Sequence, residues 1–352
     1  MKKNTMRLVT YRDSQDKEHI GFIAVSAQSL ATSTTPLTPL IVEIQAALEW
    51  LGAKNKFLIP RDMLELIREW KTIQPLLHQA LNFYQEGKMP TNLLIPESEI
   101  QLISPIPRPV SMRDGYAFRQ HVEAARRNRG VPMIPEFDHF PIYYYTNHLA
   151  VTGPGPIGVQ RLALDKLDFE LEAAIVLGKQ GKNIPASQGD EFIFGYMIMN
   201  DWSARTLQME EMKLNLGPAK GKDFATSLGP YLITADELED FAIPGPHGKK
   251  QNLQMKCFVN GKQVSEGNLK DMTWSFAQIL ERVSYGVTVY PGEVIGSGTV
   301  GTGCFLELNG SKITDNQWLK PGDQVVLEID QLGRLENTII EESDVPQYSS
   351  SS

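Results

Sequence analysis

Apolar positions recur along this chain with two different periods, and the change falls near residue 105. Between Leu40 and Tyr84 the spacing is helical: Ile41, Ile44, Leu48 and Leu51 share one face, and Met63, Leu64, Ile67 and Trp70 share another. Asp62 stands where the second stretch needs an N-cap. Pro75 is expected to end or kink that helix, which Leu77, Leu81 and Tyr84 resume before Gly87. Residues 6–25 alternate weakly and predict a strand pair, and Ala31 to Pro39 read as a polar loop. Beyond Ser104 the pattern shortens. LDFELEAAIVLG, FIFGYMIM, LGPYLIT, LQMKCFVNG, YPGEVIGSGTVGTGCFLEL and KPGDQVVLEID are short apolar runs bounded by Gly and Pro, which predicts strands. Helices at about 117–129, 203–213 and 273–284 interrupt them, with Gly130 and Gly286 as stop positions.

Pro105, Pro107 and Pro109 deny the backbone both helix and central-strand geometry, so the linker is placed there. The chain then divides into a small mixed α/β domain over 1–104, a β-rich domain over 105–342, and a tail over 343–352 read as disordered. The fold class predicted is α+β, rich in strands.

Charge and composition narrow the function classes. The 42 acidic residues exceed the 34 basic ones and no basic run gathers on one stretch, which argues against a nucleic-acid partner. Cys257 and Cys304 form neither a CxxC nor a zinc spacing, so a reducing compartment is expected. No apolar run is long enough for a membrane span, and the opening residues lack the apolar centre of a signal peptide. The expectation is a cytoplasmic protein with no membrane partner.

Two glycine-rich matches fail on inspection. Gly296-Ser297-Gly298-Thr299-Val300-Gly301 fits the dinucleotide fingerprint, but the residues that follow read as a strand where a helix is needed, so no nucleotide cofactor is expected. These glycines are read as close-approach backbone between strands. The GPAKGKD stretch, Gly217 to Asp223, is one residue short of a phosphate loop and has Asp223 where a hydroxyl is required.

The strongest chemical signal is Leu167-Asp168-Phe169-Glu170-Leu171-Glu172. Strand alternation sends the apolar residues to the core and the acids to the other face, with same-face neighbours roughly 6.6–6.8 Å apart, near enough to converge on one ion. A solvated acidic face is the plain alternative. Asp201 closes an apolar strand at a strand-to-helix junction, where Asn200 or Asp201 could equally cap the helix. Arg205 and Gln208 fall within one turn of each other, and Lys222 follows. Asp114, Tyr116 and His121 form a DxYxxxxH pattern just after the prolines, where an isolated histidine is usually a packed residue.

Taken in order over about Ser104 to Ile340, DxYxxxxH, DFELE, NDWSAR, LGPAKGKDF and IGSGTVGTGCFLEL resemble the fumarylacetoacetate hydrolase family in its bacterial fumarylacetoacetase-like form. The resemblance implies a mixed β-sandwich or roll for the catalytic domain. It makes Asp114, Glu170, Glu172 and Asp201 ligands of one divalent cation, magnesium first, with calcium or manganese as alternatives. His121 falls on the general base, Glu307 on its orienting acid, and Arg205, Gln208 and Lys222 on groups that hold substrate and its developing charge, with Tyr116 and Thr299 lining the pocket. The implied reaction is hydrolysis of a carbon–carbon bond in a small 1,3-diketo acid, with a metal-stabilised enolate as leaving group, in a cytoplasmic homodimer. Decarboxylation, tautomerisation or hydration of related keto acids is the alternative, and a non-catalytic metal-binding homologue the second. Departures concern the far end of the substrate. Met212 replaces a family tyrosine, Tyr143 to His148 replace a GYHGR-type segment, and Arg126, Arg127 and Arg129 compete for one arginine position.

Overall fold

Burial on both faces explains why Ala173 to Leu177, within the strand Leu171–Leu177, reads as a continuous apolar run. Leu171, Ala173, Ile175 and Leu177 enter one core, and Ala174 and Val176 enter another on the opposite face. The neighbouring strand Ile193–Asp201 divides in the same way, with Tyr196 and Ile198 on one side and Met197 and Met199 on the other. Together they form the centre of a 12-stranded sheet. The computed structural model describes residues 5–25, 39–52, 59–128 and 130–343. The loop predicted from Ala31 lies outside the described residues through Thr38, as do Arg129 and the tail beyond Ser343.

Along its main path the large sheet runs Leu94–Pro96, Leu40–Glu43, Glu18–Val25, Thr5–Arg12, Thr226–Thr234, Ile193–Asp201, Leu171–Leu177, Val294–Gly296, Met112–Gly115 and Tyr143–Tyr145, with Gln101–Ile103 added beside Thr5–Arg12 and Val151–Thr152 beside Thr226–Thr234. Pairing is antiparallel along this path except between Val294–Gly296 and Met112–Gly115, which run parallel. Thr5–Arg12 meets Thr226–Thr234 with Leu8 opposite Leu232, so one sheet is continuous across the proline segment. One face is covered by the helices Ile44–Trp50, Met63–Arg68 and Trp70–Gln85 through Leu48, Leu66 and Leu77. The other packs on a five-stranded sheet, Lys262–Asn268, Gln254–Val259, Gln324–Ile329, Gly333–Glu341 and Gly155–Val159, and on the helix Phe276–Ser284. The architecture is mixed α+β and dominated by strands. No helix among the described residues is long and apolar enough to cross a membrane.

Several local expectations are revised. Ile41 belongs to the strand Leu40–Glu43, opposite Ile23, and the helix begins only at Ile44, where the Glu43 carboxylate accepts from the Ala46 amide. Pro75 lies inside the helix Trp70–Gln85 and the break falls at Glu69 instead. Pro75 is exposed, so the carbonyl it leaves unused faces water. Asp62 does cap its helix, accepting from the Glu65 amide. Neither Asn200 nor Asp201 caps Arg205–Met212, which starts from Ala204 without a side-chain cap. The largest change is at FLELNG, which is a helix, Phe305–Gly310, and not a strand.

Candidate metal and proton-transfer site

The acids of the LDFELE segment do not share one solvated face. The strand is interrupted after Leu167–Asp168 and resumes at Leu171, and Asp168, Glu170 and Glu172 are all buried. Asn200 fixes the interruption, its Oδ1 accepting from the Glu170 amide at 2.9 Å. Glu170 and Glu172 then converge with Asp114, from the strand Met112–Gly115, and Asp201, from the end of Ile193–Asp201. One oxygen from each of these four carboxylates lies within 4.8 Å of the others.

The glycines of the rejected fingerprint serve this cluster. A Cβ on Gly296 would stand 2.3 Å from Asp114 Oδ1, so no larger residue fits there. Gly298 adopts φ +78°, a left-handed conformation suited to glycine, and its amide donates to Asp114 Oδ1 and Glu172 Oε2, both at 3.1 Å. Thr299 adds a hydroxyl donated to Glu172 Oε1 at 3.3 Å. The close-approach reading therefore holds. A helix does begin just beyond the motif, at Phe305, but its first amides already meet a carboxylate, that of Asp168, at 2.7 and 2.9 Å.

Electrostatics separate the cluster members. Burial, then the Asp201 charge, pushes the Asp114 carboxyl up to about 7. Burial, Asp114 and Glu170 push Glu172 well above the usual carboxylate range. Burial also drives Glu170 upward, but Lys222 and Arg205 outweigh it and hold that group down at about 2. Lys222 Nζ contacts Glu170 and donates to Asp201 Oδ2 at 2.8 Å, and the two acids raise it against the effect of burial. The donor set fits a divalent cation: every candidate ligand is a hard oxygen, and Asp201 Oδ1 is buried with no hydrogen-bond partner among the described residues. These acids could hold a metal ion.

His121 lies on the helix Arg119–Asn128, buried, with Nδ1 2.7 Å from Glu307 Oε2. The ring lies close enough to the cluster for a proton on it to lower Glu170. Tyr116 stands edge-on to the imidazole at 5.7 Å between ring centroids. Arg205 is buried and donates to Asp168 Oδ2, Glu170 Oε1 and Gln208 Oε1 at 2.8, 2.8 and 3.0 Å. The structure thus gathers the metal-ligand candidates with His121, Glu307, Arg205, Gln208, Lys222, Tyr116 and Thr299. Arg126 points elsewhere, donating to the Pro132 carbonyl.

Two residues of the site have no role in the motif reading. Tyr144 donates its hydroxyl to Asp201 Oδ2 from a strand that pairs Tyr144 with Asp114, a register hidden in a run of tyrosines. Asp168 belongs to the acidic segment but turns toward Arg205 and the 305–310 helix. Both cysteines are free and buried, and burial raises both thiols well above their usual range, which leaves them poor nucleophiles.

Known proteins resemble this chain at several levels. A rat protein named as the mitochondrial oxaloacetate tautomerase Fahd2a is 30% identical over 286 residues, 80% of each chain. A fumarylacetoacetase of Oryza sativa subsp. japonica is 30% identical over 319 residues, 73% of each chain. The solved maleylpyruvate hydrolase of Sphingobium sp. SYK-6, in complex with manganese(II) and pyruvate, superposes with a TM-score of 0.64 at 20% identity, covering 96% of this chain and all of that one, and so shares the fold. Residues 111–340 match the family described as fumarylacetoacetate (FAA) hydrolase C-terminal, and with the carboxylate cluster and the His121–Glu307 pair inside that span, the chain belongs to the fumarylacetoacetate hydrolase family.

Proposed function

We propose that this chain is a divalent-metal-dependent hydrolase that cleaves a carbon–carbon bond in a 1,3-diketo acid of the fumarylacetoacetate or acylpyruvate type. The observation that carries this reading is the buried His121–Glu307 pair, 2.7 Å apart, beside the carboxylate cluster. An ion held by Asp114, Glu170, Glu172 and Asp201, magnesium first, supplies Lewis-acid charge against the substrate's oxo-acid oxygens when bound. Glu307 fixes the ring proton on Nδ1 and leaves Nε2 to take a proton from water. The hydroxide oxygen bonds to the carbonyl carbon, the bond from that carbon to its neighbour breaks, and the electron pair departs as an enolate. His121 returns its proton to the departing carbon, so one water is consumed and a carboxylic acid and an oxo acid result. Lys222 and Gln208 meet the charge growing on the carbonyl oxygen, a type of contact worth about 3–4 kcal/mol per donor. Arg205, Tyr116 and Thr299 complete the binding surface. The same reading gives a small diketo acid as ligand, a homodimer as assembly and the cytoplasm as compartment.

Oxaloacetate tautomerisation is the second reading, favoured by the rat relative, which matches across most of both chains. It needs the same enolate and a proton carried by His121 between carbon and oxygen, with no water consumed. Product analysis on acylpyruvate, fumarylacetoacetate and oxaloacetate, with and without chelator, separates the two. A released carboxylic acid supports cleavage; loss of the enol absorbance of oxaloacetate without new acid supports tautomerisation. His121→Ala is expected to keep its bound cation while losing at least about a hundredfold in kcat, and unchanged turnover would remove the proposed base.

A further inference from the structure

We propose that Asp168 is a positioning residue that ties the His121–Glu307 pair mechanically to the carboxylate cluster; this rests on reading His121 as the proton-transfer group. Asp168 is fully buried, and its carboxylate accepts four hydrogen bonds: Oδ1 from the Phe169 and Phe305 amides at 3.0 and 2.7 Å, Oδ2 from the Leu306 amide and Arg205 Nε at 2.9 and 2.8 Å. Those bonds use the acceptor capacity of an ionised carboxylate on both oxygens. They also point two ways. Phe305 and Leu306 open the short helix whose next residue is Glu307, so the amides held by Asp168 set where the orienting acid stands against His121 Nδ1. Arg205, held at Nε, turns its other nitrogens to Glu170 and Gln208. One carboxylate therefore stands between Glu307 on one side and Glu170 on the other. Asp168 touches neither the ring nor the ligand-bearing oxygens of the cluster, so its effect passes through Glu307 and Arg205.

Asp168→Asn is the direct test, because it keeps one acceptor oxygen and the side-chain size while setting an amide N–H against the Arg205 and Leu306 donors. In protein labelled with 15N-histidine and loaded with manganese-free magnesium, the His121 Nδ1 proton resonance should shift or broaden. Manganese binding, read by calorimetry, should weaken at least about fivefold as Arg205 closes on Glu170. With an active substrate, kcat should fall at least about tenfold with little change in KM. A residue needed only for folding would lower the melting temperature and the yield and leave all three unmoved in the folded fraction, which would overturn the proposal. If Asp168→Asn does not fold, Arg205→Lys reads the same link from its other end, since one ammonium cannot span Asp168 and Glu170 as the guanidinium does. An unshifted His121 resonance in Arg205→Lys would likewise overturn it. Failure of the wild type to turn over any diketo acid would count against the hydrolase reading, whereas the resonance and the manganese affinity still decide the role of Asp168.

Discussion

Asp114→Asn removes a proposed metal ligand, yet it is expected to raise the stability of the metal-free protein. In the unfolded chain this carboxyl titrates near 3.8, and in the fold burial and then Asp201 push it up to about 7. Below pH 3.8 both states hold the proton and the group contributes nothing. Between there and about pH 7 the folded chain keeps a proton that the unfolded chain has lost, so stability falls as pH rises, and above pH 7 the penalty is complete. A shift of that size corresponds to about 4 kcal/mol. Asparagine avoids the penalty while retaining Oδ1 as acceptor for the Gly298 amide, now 3.1 Å away. At about 2 °C per kcal/mol for a domain of this order, the variant should melt roughly 8 °C higher than wild type in chelator at pH 8, with a smaller difference at pH 5. Magnesium should narrow the difference, because only wild type gains the binding term, about 2.7 kcal/mol at a hundred times the dissociation constant and about 4.1 kcal/mol, enough to cancel it, at a thousand times. Differential scanning calorimetry at the two pH values, with chelator and with magnesium, makes the comparison. An Asp114→Asn protein that melts below wild type in chelator at pH 8 would refute the argument that burial and the Asp201 charge penalise the ionised Asp114 carboxyl in the absence of a cation.

Three further outcomes are expected. Glu307→Gln should lower kcat by about ten- to a hundredfold while metal content by elemental analysis stays at the wild-type level, because the ring loses its charged partner at Nδ1 but the cluster is untouched. Leu8→Ala, at a fully buried position where the first strand meets Thr226–Thr234, should cost about 3 kcal/mol in urea unfolding and lower one shared transition. Two transitions, only one of them shifted, would show that the sheet does not unfold as a unit. Ser275→Ala breaks the capping box of Phe276–Ser284, in which Ser275 accepts from Gln278 and Gln278 from Ser275, and should cost about 1 kcal/mol in the same assay with turnover unchanged.

The site was legible where chemistry and spacing coincide, and illegible where tertiary contacts choose between equal local patterns. The acidic LDFELE pattern marks Glu170 and Glu172, although Glu170 lies in the break between two strands and not on an alternating face, and family motifs supply Asp114, Asp201 and His121. Asp168 sits in the same acidic run, but its strand ends at Asp168 itself, and only the Arg205 guanidinium and the Phe305 and Leu306 amides reveal why it turns away. FLELNG carries too few residues for period to tell helix from strand, and the Asp168 carboxylate that meets the helix's first amides lies far off in sequence. Ile41 fits the helical stripe of Ile44 and Leu48 by spacing alone, while its pairing with Ile23 across the sheet places it in a strand. In each case the deciding partner lies far away in sequence, beyond the window in which a pattern can be read.

The sheet seam between Thr5–Arg12 and Thr226–Thr234 has a consequence for how the protein is made. Leu8 leaves the ribosome well before its partner Leu232, which emerges only after the segments that bear the four carboxylates. The hairpin formed by Thr5–Arg12 and Glu18–Val25 can close at once and Thr10 to Arg12 can pair next with Gln101–Ile103, but the inner edge at Arg7 and Leu8 stays open during that interval. A chain that must hold an unpaired apolar edge while its complement is synthesised folds slowly and invites pairing with other nascent chains. The strand that joins the two parts of the native sheet is therefore also a segment through which a translating polysome of this protein is exposed to aggregation.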